Sequence, residues 1–275
     1  MTASSLHAAG PLPAQPLIAT AVLRELTSEN HSDLTALVEI DPSLSVAVLH
    51  AANSPHLRQT RRVASVRSAM VVLGSSAVES IATCRTAALV LGPDDVGCPP
   101  GFWVRSVATA AASSVLAESL GVNVDEAFTA GLLHDLGDLI LYRSDPELHG
   151  VVAARMTTGK RSLLDQEHVL FGCTHTDVGA DQLERWFLPE RVVRAVRWHH
   201  ASPEALTDSL ARAVWGGQRI GLVAAGLPTV GPRTEISSPA AVLKALGLVR
   251  ESADRILAAV DRKIDNVVKL AGRNS

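Results

Sequence analysis

Residues 126–141 read EAFTAGLLHDLGDLIL. Leucine, isoleucine and alanine dominate the stretch, and Asn123 just before it is a helix-capping residue. The pattern predicts one apolar helix with an imidazole and a carboxylate, His134 and Asp135, at its middle. Burying that pair is costly unless something pairs with it. A divalent metal does so, since neutral imidazole and carboxylate are good ligands for Zn, Fe or Mn. Further imidazoles stand at His175, His199 and His200, also on predicted helices. Adjacent histidines on a helix project about 100° apart, so both serve one site only if it lies between their directions.

Outward from this stretch the pattern stays helical. Apolar positions recur at three and four residues through Leu34, Leu37, Val38 and then Leu44, Ala47, Val48. Helix starts are expected at Asp41-Pro42, Ser202-Pro203 and Ser238-Pro239, each a capping side chain followed by proline. Ser76 and Glu79 form a predicted capping box after Gly74. A long helix is expected from Phe102 to Leu120, stopped by Gly121, and a short one from Arg191 to His200. Ser162–Glu167 opens another element, and residues 186–189 (WFLP) break the chain. The end, Ser252 to Ala271, predicts an amphipathic helix whose apolar stripe either docks on the fold or pairs with a second chain. No β alternation and no repeat is found. The fold class is therefore all-α: a two-lobed helical bundle with a C-terminal helical extension. Residues 1–16 read as a mobile tail, 92–101 (GPDDVGCPPG) as the boundary between lobes, and 225–238 as a loop.

Composition excludes several classes. The 275 residues carry 25 Lys plus Arg and 28 Asp plus Glu, a net charge of −3. With 47% hydrophobic and 19% charged residues, the chain has enough apolar content for a substantial core. The charge gives no global field for nucleic acid or an anionic membrane. Aromatics at 3% leave little material for rows of base-stacking rings. No run approaches the roughly 18 apolar residues of a membrane span, and the N-terminus lacks a secretory pattern. Cys84, Cys98 and Cys173 form neither a disulfide framework nor a metal knuckle. A cytoplasmic location is expected.

The motifs together resemble the HDOD family, the HD-related output domain proteins of bacterial signalling. The resemblance rests on EIDPSLSVAVLHAANSP (39–55) and SVRSAMVVLGSSAVESI (65–81), then FWVRSVATA (102–110), EAFTAGLLHDLGDLIL (126–141), HTDVGADQLERWFLP (175–189) and AVRWHH (195–200). It implies an HDOD domain over 17–220, with an N-terminal helical lobe at 17–92 and an HD-like lobe at 101–220. Residues 221–275 form a linker and C-terminal helices. No receiver, GGDEF, kinase or DNA-binding segment is visible, so a stand-alone regulatory protein is expected.

The related HD phosphohydrolases, HD-GYP phosphodiesterases included, supply a standard for catalysis. The resemblance assigns His134 and Asp135 to the HD pair, and His175, His199 and His200 to further metal histidines. Their early histidine is Arg105 here. The phosphate-holding lysine is Asp138, and the late aspartate falls near Gly217. The GYP signature is absent after His200. Arginine stays protonated and has no lone pair to give a metal. Asp138 sets an anion where a phosphodiester needs a cation. The two-metal site is thus expected to be broken; Arg105 pointing into the histidine cluster would fill the metal position, and Arg105 pointing away would leave room for a metal.

Three functions are compatible with these residues. The first is a catalytically inactive signalling module that binds a protein partner or a small ligand. The second is a metal-dependent phosphohydrolase using His134, Asp135, His175, His199 and His200. The third is a cyclic-dinucleotide sensor without turnover, with Arg61, Arg62 and Arg105 as ligand-binding residues, since bidentate arginines suit phosphate. Arg58 and Arg67 complete that basic cluster. No cofactor is expected; the alternative is a residual Fe, Mn or Zn ion. Membrane and nucleic acid are not expected partners, and a homodimer is an open alternative.

Overall fold

The structure is a computed structural model describing residues 12, 15–27, 33–57, 61–91, 97–158, 162–227 and 238–272. Among these the chain is helical, with no strand: α1 (Pro16–Thr27), α2 (Leu34–Glu39), α3 (Pro42–Ala52), α4 (Val66–Leu73), α5 (Ser75–Leu91), α6 (Phe102–Ser119), α7 (Val124–Leu133), α8 (Leu136–Ser144), α9 (Pro146–Thr158), α10 (Leu163–Phe171), α11 (His175–Arg185), α12 (Glu190–Arg197), α13 (Ser209–Ala224), α14 (Pro239–Ala245) and α15 (Ala253–Gly272). Single 3₁₀ turns lie at Pro55–Leu57 and Pro203–Ala205.

Local chemistry explains most starts and stops. The buried Asp41 carboxylate accepts from the N–H groups of Ser43 and Leu44, both at 2.9 Å, and Pro42 presets the first turn of α3. Asn123 accepts from Glu126 N–H and starts α7. Ser162 and Asp165 close a capping box on α10. Gly121, at φ +65°, ends α6 in a conformation that costs other residues more.

Some expectations need correction. Ser76 caps nothing, because α5 already begins at Ser75. Ser202-Pro203 starts only one 3₁₀ turn: Ser202 makes no side-chain cap, Leu206 is extended, and Asp208 caps the following α13 instead. The tail assigned to 1–16 is shorter at its inner end. Leu12 is buried, and Gln15 N–H donates to Asp41 at 2.7 Å. The rest of that segment, Arg58, residues 92–96 of the boundary and 228–237 of the loop lie outside the described residues.

The helices form two sets of contacts. In one, α1, α3 and α4 pack with α5, and α2 packs on α1, α3 and α4. In the other, α6 is sandwiched between α13 and α7, while α11 packs on α8 and α12. Helices α3 and α4 touch α7, joining the sets, and one apolar core runs through both. Small residues let the central helices approach closely. A Cβ on Gly131 lies 2.9 Å from Ala110 Cα, and one on Gly217 lies 2.7 Å from Ser113 N, both tighter than side chains tolerate. Helix α15 docks on α6 and also touches α1, α2, α13 and α14, burying Ile256 and Val260. Among the described residues no helix is long and apolar enough to cross a membrane.

Candidate functional site

The helix predicted through residues 126–141 is interrupted. Helix α7 ends at Leu133 and α8 starts at Leu136, with Asp135 as its N-cap. The Asp135 side chain makes no capping bond, so its carboxylate is free to turn into the fold. The helix predicted to reach His200 ends at Arg197, and His199 and His200 sit in the turn beyond it. His175 is the first residue of α11, capped by Thr174. The turn removes the 100° constraint of a helix, so His199 and His200 both face one point, ring centroids 4.3 Å apart.

The five predicted metal residues converge. Asp135 Oδ1 lies 3.3 Å from His134 Nε2, 3.6 Å from His199 Nε2 and 3.8 Å from His175 Nε2. The His200 ring meets the His175 ring edge to face, with centroids 5.0 Å apart. Each of the three buried imidazoles uses Nδ1 elsewhere. His134 Nδ1 donates to the Gly131 carbonyl at 2.7 Å, and His199 Nδ1 to the Val196 carbonyl at 2.6 Å. His175 Nδ1 donates to Glu167 at 2.8 Å, and the same carboxylate accepts from the His175 backbone N–H. A carbonyl only accepts, so these bonds fix the protons on Nδ1 and aim the Nε2 lone pairs inward.

That leaves lone pairs face to face. His175 Nε2 and His199 Nε2 are 3.3 Å apart, and His134 Nε2 is buried with no hydrogen-bond partner. A proton or a cation between them relieves the conflict. Burial disfavours a charged His175, but Glu167 and Asp135 outweigh it and push its pKa up to about 9. Burial pulls His199 down to about 4 and His200 well below its usual range. Burial alone would raise Asp135, yet His134, His199 and Arg105 hold it well below the usual carboxylate range. These influences favour the charged form of His175 and of Asp135 and the neutral form of His199 and His200.

A metal fits part of this set. His134, Asp135 and His199 offer ligand atoms within 4.8 Å of one another, as do His175, His199 and His200. Nδ1 bonded outward and Nε2 aimed inward is the arrangement that supports a metal-bound imidazole. One divalent ion suits these donors.

Arg105 closes the other side. Its Nε is 3.4 Å from Asp135 Oδ2, its Nη2 2.6 Å from Asp138 Oδ2, and its Nη1 donates to the Pro100 carbonyl at 2.9 Å. His149 Nε2 binds the remaining Asp138 oxygen at 2.6 Å. The arginine and the aspartate that depart from the hydrolase pattern are thus each other's partners. Gly217 faces Ser113 on α6 and supplies no functional group.

The other predicted ligand residues are not gathered here. Arg61 is exposed, and Arg62 donates to the Leu188 carbonyl at 3.2 Å and lies 5.8 Å from the Phe187 ring centre. Arg67 is paired with Glu39. No contact among the described residues joins Arg61 or Arg62 to Arg105. Sequence reasoning missed Glu167, His149 and the glycine pair Gly137–Gly179. A Cβ on Gly137 would overlap the His175 carbonyl, so this glycine sets how closely α8 carries Asp135 to α11.

Comparison with known proteins follows the same lines. The structure resembles the MmoQ response regulator of Methylococcus capsulatus str. Bath at 26% identity and TM-score 0.74, over 90% of this chain and 97% of that one. It shares the fold of an HDOD domain protein with unknown function from Geobacter sulfurreducens, at 22% identity and TM-score 0.55, over 98% and 95% of the two chains. An uncharacterized protein of Treponema pallidum is 25% identical over 178 residues, 63% of this chain and 34% of its own length. The ribonuclease Y of Fervidobacterium nodosum is 32% identical over 107 residues, 39% of this chain and 16% of its own. The chain thus spans about a third or less of these curated relatives. The HDOD domain family matches residues 12–202, most of the length. The chain belongs to the HDOD family.

Proposed function

We propose that this chain is a regulatory module that has given up hydrolysis and passes its signal to a protein partner. The observation that carries this reading is Arg105, bonded to both Asp135 and Asp138 where a hydrolase needs a metal ligand and a phosphate-binding cation. A fixed guanidinium repels a second metal ion from Asp135, and Asp138 repels a phosphodiester. Similarity to a response regulator supports a signalling role. The nucleotide-sensor reading has less support, because the described arginines do not assemble an anion site.

One observation favours the phosphohydrolase as a second reading. His134, Asp135 and His199 form one triad of ligand atoms and His175, His199 and His200 another, and an ion at either would supply a Lewis acid or an activated water when bound. Its ligands would come from His134, Asp135, His175, His199 and His200. The test is elemental mass spectrometry on protein purified without a histidine tag or chelators, with hydrolysis of bis-p-nitrophenyl phosphate and cyclic-di-GMP in added Mn or Fe. No turnover in either metal upholds the regulatory reading. Turnover that disappears in His134→Ala and Asp135→Asn overturns it.

A further inference from the structure

We propose that the cavity beneath α15 is a binding site for a small zwitterion with an apolar side chain, a free apolar amino acid being its simplest form. The cavity has a volume of about 280 Å³ and lies where α2, α4, α6, α7 and α15 meet. It shares no lining residue with the histidine cluster, so the proposal is independent of whether that cluster turns over a substrate. Part of its wall is apolar, formed by residues such as Ile40, Phe128, Val267 and Leu270.

Four charged side chains line it, and they fall into two kinds. Arg67 and Glu39 satisfy each other through two bonds of 3.0 Å. Lys263 and Asp125 do not. Among the described residues neither joins an ion pair, although they line the same cavity from α15 and α7 and feel each other's charge. Lys263 Nζ donates to the neutral hydroxyl of Ser114 at 2.8 Å, one bond for a group with three donors. Half-burial disfavours its ammonium, and Asp125 together with Glu118 only partly offsets that cost.

The cavity therefore presents, beside an apolar wall, a cation and an anion that feel neighbouring charges but that no close ion pair among the described residues joins. A ligand carboxylate toward Lys263 and a ligand ammonium toward Asp125 complete both. A polyanion would confront Asp125. A purely apolar ligand would desolvate both charges without pairing either. The volume sits at the small end for ligand sites and suits an occupant of amino-acid size.

The test is calorimetric titration and thermal denaturation of the full chain with L-leucine and L-phenylalanine, alongside N-acetyl-L-leucine and L-leucinamide. The amino acids are expected to bind and raise the melting temperature. Each blocked form, lacking one charge, is expected to bind at least about tenfold more weakly. Asp125→Asn should lower leucine affinity to that of N-acetyl-L-leucine and erase the penalty for the acetyl group. Lys263→Gln should do the same toward L-leucinamide. Either variant suffices, and the blocked ligands test the unaltered protein without any variant. No binding of either amino acid at millimolar concentration overturns the proposal. So does equal binding of free and blocked forms, or a folded variant with unchanged affinities.

Discussion

Arg105 Nη2 and Asp138 Oδ2 lie 2.6 Å apart, the shortest of the contacts that hold Arg105 beside the HD pair. Both side chains are largely buried, at 19% and 16% exposure, so water screens the pair only weakly. Asp138 also accepts from His149, and Arg105 also reaches Asp135. The two residues work as one unit, each meeting a charge that the other would leave bare.

The unit predicts a strong coupling. Arg105→Ala leaves Asp138 and Asp135 short of a counter-charge and should destabilise the fold by about 2–4 kcal/mol. That corresponds to a fall of roughly 5–10 °C in melting temperature. Asp138→Ala should cost a similar amount, and the double variant less than the sum by about 1 kcal/mol or more. Thermal and urea denaturation of the three variants measures this. Additive losses would show that the two side chains do not act together.

Helix packing at the site makes a second prediction. Gly137 and Gly150 are both helical, on α8 and α9, yet their surroundings differ. A Cβ at Gly137 overlaps the His175 carbonyl, which is backbone and moves only if α11 moves. A Cβ at Gly150 meets nothing within 4 Å. Gly137→Ala should therefore destabilise by roughly 2–3 kcal/mol. Gly150→Ala should stabilise by about 0.5–1 kcal/mol through helix propensity and a less flexible unfolded chain. Urea midpoints of the two variants should move in opposite directions.

How much of this was legible beforehand depends on the kind of signal. Periodicity and caps at Asp41, Asn123 and Ser238 announce an all-helical chain, because each rests on neighbours within four residues. The grouping of His134, Asp135, His175, His199 and His200 was legible through resemblance, whereas the direction of Arg105 was not, because sequence alone leaves its long side chain free to point into the cluster or away from it. The break at His134–Asp135 was not, since the leucines continue a helical pattern straight across it. Glu167 was equally silent. It precedes His175 by eight residues on a different helix, and only the fold brings its carboxylate to the imidazole. Gly137 reads as a weak helix residue until the His175 carbonyl appears beside it.

Asp41 links the chain before α1 to the cap of α3. Its Oδ1 accepts from Ser43 and Leu44, and its Oδ2 accepts from Gln15. Asp41→Ala removes all three acceptor contacts and should cost about 2–3 kcal/mol. Asp41→Asn keeps an oxygen for the α3 cap but offers an amide to the Gln15 N–H, and should cost roughly half as much. Proteolysis near Gln15 should accelerate in both variants. Equal stability of Asp41→Ala and the unaltered chain would exclude the cap as a contributor.

Glu167 governs how stability depends on pH. His175 has a folded pKa of about 9 against an ordinary 6.5, so it gains its charge more readily in the folded state. Below pH 6.5 both states carry that proton and the stabilisation is fully present. As pH rises from 6.5 through 9 the unfolded chain loses the proton first, and the stabilisation fades. His199 works in the opposite sense. Its folded pKa of about 4 means that acidification below 6.5 charges the unfolded chain first and favours unfolding. Stability limited by this cluster should therefore peak near pH 6.5 and fall on both sides. Glu167→Gln keeps the size of the side chain but removes the charge that holds the His175 proton. It should lower stability near neutrality by about 2–4 kcal/mol and flatten the alkaline limb while sparing the acidic one. Urea denaturation at pH 5, 6.5 and 9 resolves the two limbs, and an alkaline slope unchanged by Glu167→Gln would mean that His175 does not hold the extra proton.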